Sequence, residues 1–414
     1  MHISFFDRKY LSLELVLIVI KLTMSKGKTV FAQIMEVVPD YELNKCIDRY
    51  NGDKGTKKYT CRDQFKVMSF AQLTGRTSLR IIEATLKVFG PKLYHSGMKQ
   101  MGKSTISEMN EKKAWQIYRD YAMVLVSKAQ RLYKTDKFRL DIEEMVYAFD
   151  SSTIILCLQL CPWAKYKDGN GGIKMHTMLD LRGSIPTFIW LSEAAVSDIN
   201  AMDIMPVESG AIYLIDKGCV DFWRLFNRID RQGAFFVTRA KDNMKYQVCK
   251  SCDVDKNTGV VSDEYIRLTG QNAKDDYPDL MRLVVYEDFS TGNVYRFLTN
   301  DFLHEAITIA ELYRERWQVE LFFKWIKQHL RIKSFFGTSQ NAVFTQIWIA
   351  VCDYLLLLIA RKVYNIEQEL YIFSQAIGLV LLEQIPLTEL FSKIDMTDTV
   401  DKDMRQLSLF DSFA

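Results

Sequence analysis

After Met24 the apolar residues recur at helical spacing, and the pattern predicts a helical region over about 24–140. Thr60-Cys-Arg-Asp63 has the form of a capping box opening a helix over Gln64–Leu73. There a hydroxyl at the N-cap and a carboxylate three residues on each satisfy an orphan backbone N–H. Thr105-Ile-Ser-Glu108 has the same form and predicts a long helix through Lys113, Tyr118 and Leu132. Gly75 and Arg76 separate the first helix from another over Ser78–Phe89, and Gly90-Pro91 and Gly97 break the chain again. Short helices with tight breaks suit a helix-turn-helix-like unit, although many small helical domains share the pattern without binding DNA.

Near 141 the period shortens to that of strands. Met145–Phe149 is an apolar strand expected to stop at Asp150. Gly171-Gly172 leads into Ile173–Leu181, and Arg182-Gly183 turns into Ser184–Leu191, which predicts a hairpin. Ala211–Ile215 is a second buried strand ending at a carboxylate, Asp216; a helix over Phe222–Ile229 and a strand over Ala234–Thr238 follow. Three strands, then strand, helix, strand, predict a mixed α/β sheet. Residues 241–301 are polar, with turns at Gly259 and Gly292 and β-like runs at Arg282–Tyr286 and Asn293–Thr299, and read as a β-rich insertion. From Glu305 to Ile332 the helical period is strong and unbroken. Apolar helices are expected at about 342–363 and 368–383, and 395–414 reads as a loose tail.

Charge changes this picture more than composition does. The 414 residues are 48% hydrophobic and 25% charged, ordinary for a folded chain, which excludes disordered, collagen-like and disulfide-scaffold classes. The net charge of +3 hides an asymmetry: residues 24–140 hold 23 Lys and Arg against 11 Asp and Glu, leaving the part after 140 strongly acidic. That division fits a part that grips a polyanion and a part rich in carboxylates, or simply two differently charged solvated surfaces. The eight cysteines are irregularly spaced and make no disulfide framework, so a reducing cytoplasm is expected. No apolar run is expected to approach the roughly 18 residues of a membrane span. Leu11–Leu22 is broken by Glu14 and Lys21 and is followed by no small-residue cleavage site, so translation is expected to begin at Met24, with 1–23 an upstream extension.

Three acids carry the candidate chemistry. Asp150 and Asp216 each follow an apolar strand, where α/β sheets present ligands, although a turn-capping role fits either one alone. On the helix over Ala306–Ile332, with Glu320 as reference and about 100° per residue, Tyr313, Arg316 and Lys327 share a stripe about 60° wide and roughly 21 Å long. Leu312, Val319, Phe323, Ile326 and Leu330 lie beside that stripe, so burying them sets the stripe at the edge of a sheet. A solvated salt-bridge ladder would show the same helix spacing. Three carboxylates from two strands and a helix suit two hard divalent cations, which can drive phosphodiester displacement. Arg316 and Lys327 would then hold a DNA phosphate.

Tyr313-x2-Arg316-x3-Glu320-x6-Lys327 resembles the YREK signature of insertion sequence 4 family transposases, with all four residues and all three spacings matched. Phe149–Thr153, Gly172–Thr177, Leu214–Gly218 and Phe235–Arg239 resemble that family's other blocks, and the likeness spans most of 24–390. The resemblance implies an α/β fold. Its RNase H-like catalytic core, at 141–335 with the insertion at about 241–301, would follow a helical, basic DNA-binding domain at 24–140 and precede a C-terminal helical region at 336–414. It implies a DDE triad of Asp150, Asp216 and Glu320 that binds two Mg²⁺ ions, with Mn²⁺ as substitute. The reaction would be cut-and-paste transposition through a flank hairpin, on double-stranded transposon ends and target DNA, by a homodimer in the synaptic complex. The enzyme would work in the bacterial cytoplasm at the nucleoid, with no membrane partner.

Tyr313, Arg316 and Lys327 would contact the end DNA near a flipped nucleotide, and Tyr295 would stack on it. The insertion holds no Trp, and Cys219 stands where the family usually has an aromatic; both are departures from its pattern. A plain nuclease of the same fold, or a catalytically silent DNA-binding relative, are the competing readings. Cys249-Lys-Ser-Cys252 has zinc-knuckle spacing and joins Cys157 and Cys161 in a candidate four-cysteine set that the DNA chemistry does not require. His176 reads as a strand residue near the site, His329 as a helix-surface residue, and Trp317 and Trp325 as packing residues.

Overall fold

A computed structural model describes residues 27–136, 138–164, 171–330 and 335–392. The expected extension at 1–23, the tail at 395–414 and the helix end at Ile332 lie outside the described residues. The helices are α1 (Val30–Met35), α2 (Asp40–Arg49), α3 (Cys61–Leu73), α4 (Leu79–Val88), α5 (Lys103–Lys112), α6 (Gln116–Tyr133), α7 (Ala306–Glu315), α8 (Gln318–Leu330), α9 (Gln340–Val363), α10 (Leu370–Val380) and α11 (Leu387–Ser392), with shorter helical turns between some of them. The described residues form two compact units, 27–129 with 328–392, and 130–327.

In the helical unit α9 is the core element, lying against α1, α3, α5 and α10. By length and composition it is apolar enough to cross a membrane, but every residue of its apolar window is buried. It is the apolar helix expected at about 342–363, and it corrects the expectation that no apolar stretch nears a span's length: Gln346 and Asp353 interrupt the run without ending the helix. The capping box at Thr60 forms as expected: the Asp63 amide donates to Thr60 Oγ1 (3.2 Å) and the Thr60 amide to Asp63 Oδ2 (2.8 Å). The second expected box does not form. The N-cap of α5 is Gly102, Thr105 lies inside the helix, and the chain turns extended at Lys113 before α6. That end is fixed from far along the chain, where Asn341 Nδ2 donates to the carbonyls of Asn110 and Lys113, each at 2.7 Å.

Neither carboxylate oxygen of the buried Asp353 has a hydrogen-bond partner among the described residues. Burial pushes its pKa well above the ordinary carboxylate value, and the neighbouring Ser69 hydroxyl offsets only part of the rise. With the folded value raised, the contribution to stability is complete below the unfolded pKa of about 3.9 and is lost as pH rises toward the folded one, by up to about 1.4 kcal/mol per pH unit. Asp353→Asn should therefore raise Tm at pH 7 and lose that advantage by about pH 4. Melts followed by circular dichroism at both pH values check this; an equal gain at both would show that the carboxyl is not the cause.

The second unit holds one nine-stranded sheet of β1 (Val146–Leu156), β2 (Gly171–Asp180), β3 (Ile185–Glu193), β4 (Ile212–Ile215), β5 (Phe235–Arg239), β6 (Tyr246–Cys252), β7 (Val260–Leu268), β8 (Met281–Asp288) and β9 (Asn293–Thr299), in the order β3-β2-β1-β4-β5-β9-β8-β7-β6. β1, β2 and β3 are antiparallel neighbours, and β1, β4 and β5 are parallel. This is an RNase H-like core. Every residue of β4 is buried, which is why its sequence is a continuous apolar run. The core gathers Phe149, Tyr213, Ile215, Phe236, Tyr277 and Leu298.

Three expectations are corrected here. β1 does not stop at Asp150 but runs on to Leu156, because β2 pairs with it from Tyr147 to Leu156 while β4 pairs only as far as Phe149↔Ile215. The polar segment after 241 holds four strands rather than two, hydrogen-bonded in succession onto β5. β6 escapes a periodicity reading because its residues are exposed on both faces and need no apolar side. The helix carrying Glu320 is divided, α7 ending at Glu315 and α8 starting at Gln318. Between them the backbone switches to i→i−3 bonds, Arg316 to Tyr313 (3.2 Å), Val319 to Arg316 (3.1 Å) and Glu320 to Trp317 (3.0 Å). Gln318 donates to the buried Glu315 (2.7 Å) and accepts from the Ser184 hydroxyl (3.0 Å), which ties the joint to the β2–β3 turn. Leu312, Val319, Phe323 and Ile326 stay buried through the joint, so the apolar pattern carries no sign of it.

Candidate active site

Register brings the two aspartates together. Phe149 of β1 pairs with Ile215 of β4, and each is followed at once by an acid, Asp150 and Asp216. Asp216 then caps the turn Lys217–Cys219, accepting from the Gly218 amide at 2.9 Å. Asp150 accepts from the Ser151 amide at 2.7 Å. Glu320 reaches the same place from the first turn of α8.

Arg316 lies between all three acids. Its guanidinium is 2.7 Å from Asp150 Oδ2, 3.1 Å from Glu320 Oε1 and 3.7 Å from Asp216 Oδ1. The side chain is buried, and its guanidinium sits 5.6 Å from the ring centroid of Tyr313, itself buried. The sequence reading aimed Arg316 and Tyr313 at DNA; here Arg316 is the counter-charge of the acids. Its Nε and the Tyr313 hydroxyl have no hydrogen-bond partner among the described residues.

The electrostatics follow from this crowding. Burial pushes the Asp150 pKa up to about 6 against the pull of Arg316 and the Ser151 amide, and the charges of Asp216 and Glu320 add to the rise. Glu320 is raised for the same reasons, burial first and Asp216 after it, with Arg316 opposing. Burial works against the Arg316 charge, but Tyr313 and the three acids outweigh it and hold its proton more firmly than usual. Burial pushes the Tyr313 hydroxyl up to about 12. Among the described residues no three His, Cys, Asp or Glu side chains are grouped closely enough to hold a metal ion; the acids converge on Arg316 instead. The donor set is nonetheless all carboxylate oxygen, of the kind hard divalent cations take.

The other sequence candidates are placed as follows. Lys327 is half-buried, and burial lowers its pKa. Tyr295 of β9 is only 6% exposed, its ring stacked on Phe297 and covered by the Arg239 guanidinium at 5.7 Å. Phe297 and Arg239 cover the ring, so no face of it is open to a nucleotide in this structure. Cys219 is buried, and burial, with Asp198, Asp150 and Asp216 nearby, raises its thiol pKa. The four-cysteine set does not assemble. All four thiols are free, and Cys249 and Cys252 lie on β6, six strands from β1, which Cys157 directly follows. At about 4.8 Å per strand that is a separation of nearly 30 Å. Trp325 is buried as expected of a packing residue; the His329 side chain lies outside the described residues.

Beside Asp150 is a polar cluster that the sequence reading missed apart from His176. Ser151 donates its hydroxyl to Asp198 Oδ1 at 2.6 Å, and Lys174 reaches the same oxygen at 3.0 Å. His176 Nδ1 is 3.6 Å from that oxygen, while Nε2 is 2.9 Å from the Ser192 hydroxyl and the ring stacks on Trp190. Burial pulls the His176 pKa down to about 4, leaving the ring neutral at neutral pH.

Residues 142–356, just over half of the chain, match the family described as Transposase DDE domain. The chain belongs to this family. As a DDE transposase it cleaves and moves DNA, and it depends on a divalent metal ion. It is 36% identical over 245 residues to "Putative transposase y4zB" of Sinorhizobium fredii, covering 58% of this chain and 67% of that one. It is 26% identical over 343 residues to "Probable transposase for insertion sequence element IS5377" of Geobacillus stearothermophilus, covering 81% and 85%. These relatives agree with the resemblance to insertion sequence 4 transposases. Residues 26–99 of the transposase match a domain of unknown function, DUF4372. A solved structure, the piggyBac transposase synaptic complex with hairpin DNA, aligns over 91% of this chain and 83% of that one at 10% identity and a TM-score of 0.45.

Proposed function

We propose that this transposase cuts DNA at the inverted-repeat ends of its element, frees a 3′-hydroxyl, passes through a hairpin on the flank and joins the end to target DNA. The observation that carries the reading is the gathering of Asp150, Asp216 and Glu320 around one guanidinium in a chain of the DDE family. These three carboxylates would hold Mg²⁺, two ions per site, with Mn²⁺ as substitute. The bound ions supply Lewis-acid stabilisation of the attacking and leaving oxygens.

The chain's own residues do the remaining work. Arg316 neutralises the acids in the free protein. On the end DNA its planar fork would turn to a phosphate, and the Tyr313 hydroxyl beside it would add a second donor. Lys327 lies seven residues beyond Glu320, about 10 Å along the helix, and would meet the next stretch of backbone as a point charge. The basic part at 24–140 would add further contacts to the DNA backbone. There α3 and α4, joined through Gly75, would offer Arg76, Arg80 and Lys87 to the DNA backbone. Two copies would act together, one at each end, as the family resemblance implies.

Purified full-length protein, end DNA and Mg²⁺ test the reading. Cleavage followed by joining to a second DNA is expected; cleavage without joining would leave a plain nuclease, and binding alone a silent relative. Lys327→Ala should weaken end binding and lower the slope of log K against log salt by about one. A mobility-shift series at four salt concentrations reads that slope, and an unchanged slope would remove Lys327 from the interface.

A further inference from the structure

We propose that Asp198 is a positioning residue for Asp150, acting through Ser151. The proposal rests on the triad reading above and concerns what holds Asp150 in place. At Asp150 the strand β1 loses its β4 neighbour, since parallel pairing ends at Phe149↔Ile215. Beyond that point β2 alone pairs with it, Asp150 with Thr177 and Ser151 with His176. Asp198 stands in for the missing strand. Its Oδ1 accepts the Ser151 hydroxyl at 2.6 Å, and the amide of the same serine donates to Asp150 Oδ1 at 2.7 Å. Asp150 Oδ2 is taken by Arg316 at 2.7 Å, so each oxygen of this acid has a fixed donor.

Asp198 is anchored in turn. Lys174 of β2 reaches Asp198 Oδ1 at 3.0 Å and donates to the Val196 carbonyl at 2.9 Å, which ties the segment leading to Asp198 onto the sheet. His176, buried and stacked on Trp190, presents Nδ1 to the same oxygen at 3.6 Å. The short helical turn Asp198–Ala201 lies against the turn Lys217–Cys219 that Asp216 caps. The carboxylate therefore braces the segment that carries Asp150, and the turn it opens lies against the one that follows Asp216. Groups that orient a metal-binding carboxylate typically change metal affinity or activity by about 10–100-fold when removed.

The test measures Mn²⁺ binding to purified full-length protein by water-proton relaxation, without DNA, alongside thermal melting in the absence of metal. Asp198→Ala and Ser151→Ala should each weaken Mn²⁺ binding by about 10–100-fold. Asp198→Asn should weaken it less, because an amide oxygen still accepts the Ser151 hydroxyl. The double variant should bind no more weakly than Asp198→Ala, since both changes cut one chain of hydrogen bonds. A Ser151→Ala variant with wild-type Mn²⁺ affinity, or losses that add in the double variant, overturns the proposal. Ser151→Ala removes one hydroxyl only, so it keeps the test valid if Asp198→Ala melts early. Asp150→Ala separates the two readings: lost Mn²⁺ binding upholds the triad, and unchanged binding overturns the triad reading and this proposal with it.

Discussion

Replacing Asp150, Asp216 or Glu320 by alanine, one at a time, should lower end cleavage by about three orders of magnitude or more while leaving binding of end DNA in place. In the proposed triad the three acids would act as one unit on shared ions, so each single change should cost about as much as a double one. Loss of fold is a poor alternative explanation. Burial raises the folded pKa of Asp150 to about 6, above its unfolded value of about 3.9. Its contribution to stability is therefore full below about pH 4 and lost as pH rises through about 6. A neutral Asp150→Asn should melt no lower than the parent at pH 7.5, and a gel-based cleavage assay beside the melt separates the two effects. Near-normal cleavage by any of the three alanine variants would remove that acid from the triad.

The second large effect is expected at Arg316, and in two directions at once. Arg316→Ala should slow cleavage by about a hundredfold to a thousandfold, the scale of losing one preorganised cationic donor. The same change should tighten divalent-ion binding to the free protein. In the free protein the guanidinium bonds to Asp150 and Glu320 and lies 3.7 Å from Asp216, so it occupies the oxygens that a metal needs. Without it three acids are left facing one another with no counter-charge. The metal-free variant should melt lower, and Mn²⁺ should restore more of its Tm than in the parent. Arg316→Lys should not recover cleavage, because a compact ammonium cannot span the acids or fork onto a phosphate. Weaker Mn²⁺ binding by Arg316→Ala would show that the guanidinium does not compete for those oxygens.

The core strands and the three acids are legible because each acid follows, or lies beside, an apolar run whose burial forces it to an edge. What sequence hides is the partner of each charge. The stripe Tyr313–Lys327 correctly sets Arg316 beside Glu320, but helix geometry alone cannot say that Arg316 faces inward to Asp150, 166 residues away. Asp198 is invisible for a similar reason. It stands on a four-residue helical turn outside any long periodic element, and its bond to Ser151 spans 47 residues. The joint between α7 and α8 leaves no mark because the buried face continues across it. β6 lacks any apolar side, so its pairing with β7 alone defines it as a strand. Tyr295 shows the converse limit: a sequence match picks out an aromatic on β9 but cannot tell that Phe297 and Arg239 cover its ring.

The pairing of β1 with β4 covers only four residues, Val146↔Ile212 to Phe149↔Ile215. Successive side chains on a strand point to opposite sides, so a slip of one position would turn Asp216 away from Asp150. The chain from 181 to 211 is no mere spacer either, since it carries β3, paired with β2, and Asp198, bonded to Ser151. A single-codon deletion inside Val146–Phe149 or Ile212–Ile215 should thus silence the element even though every acid is still encoded.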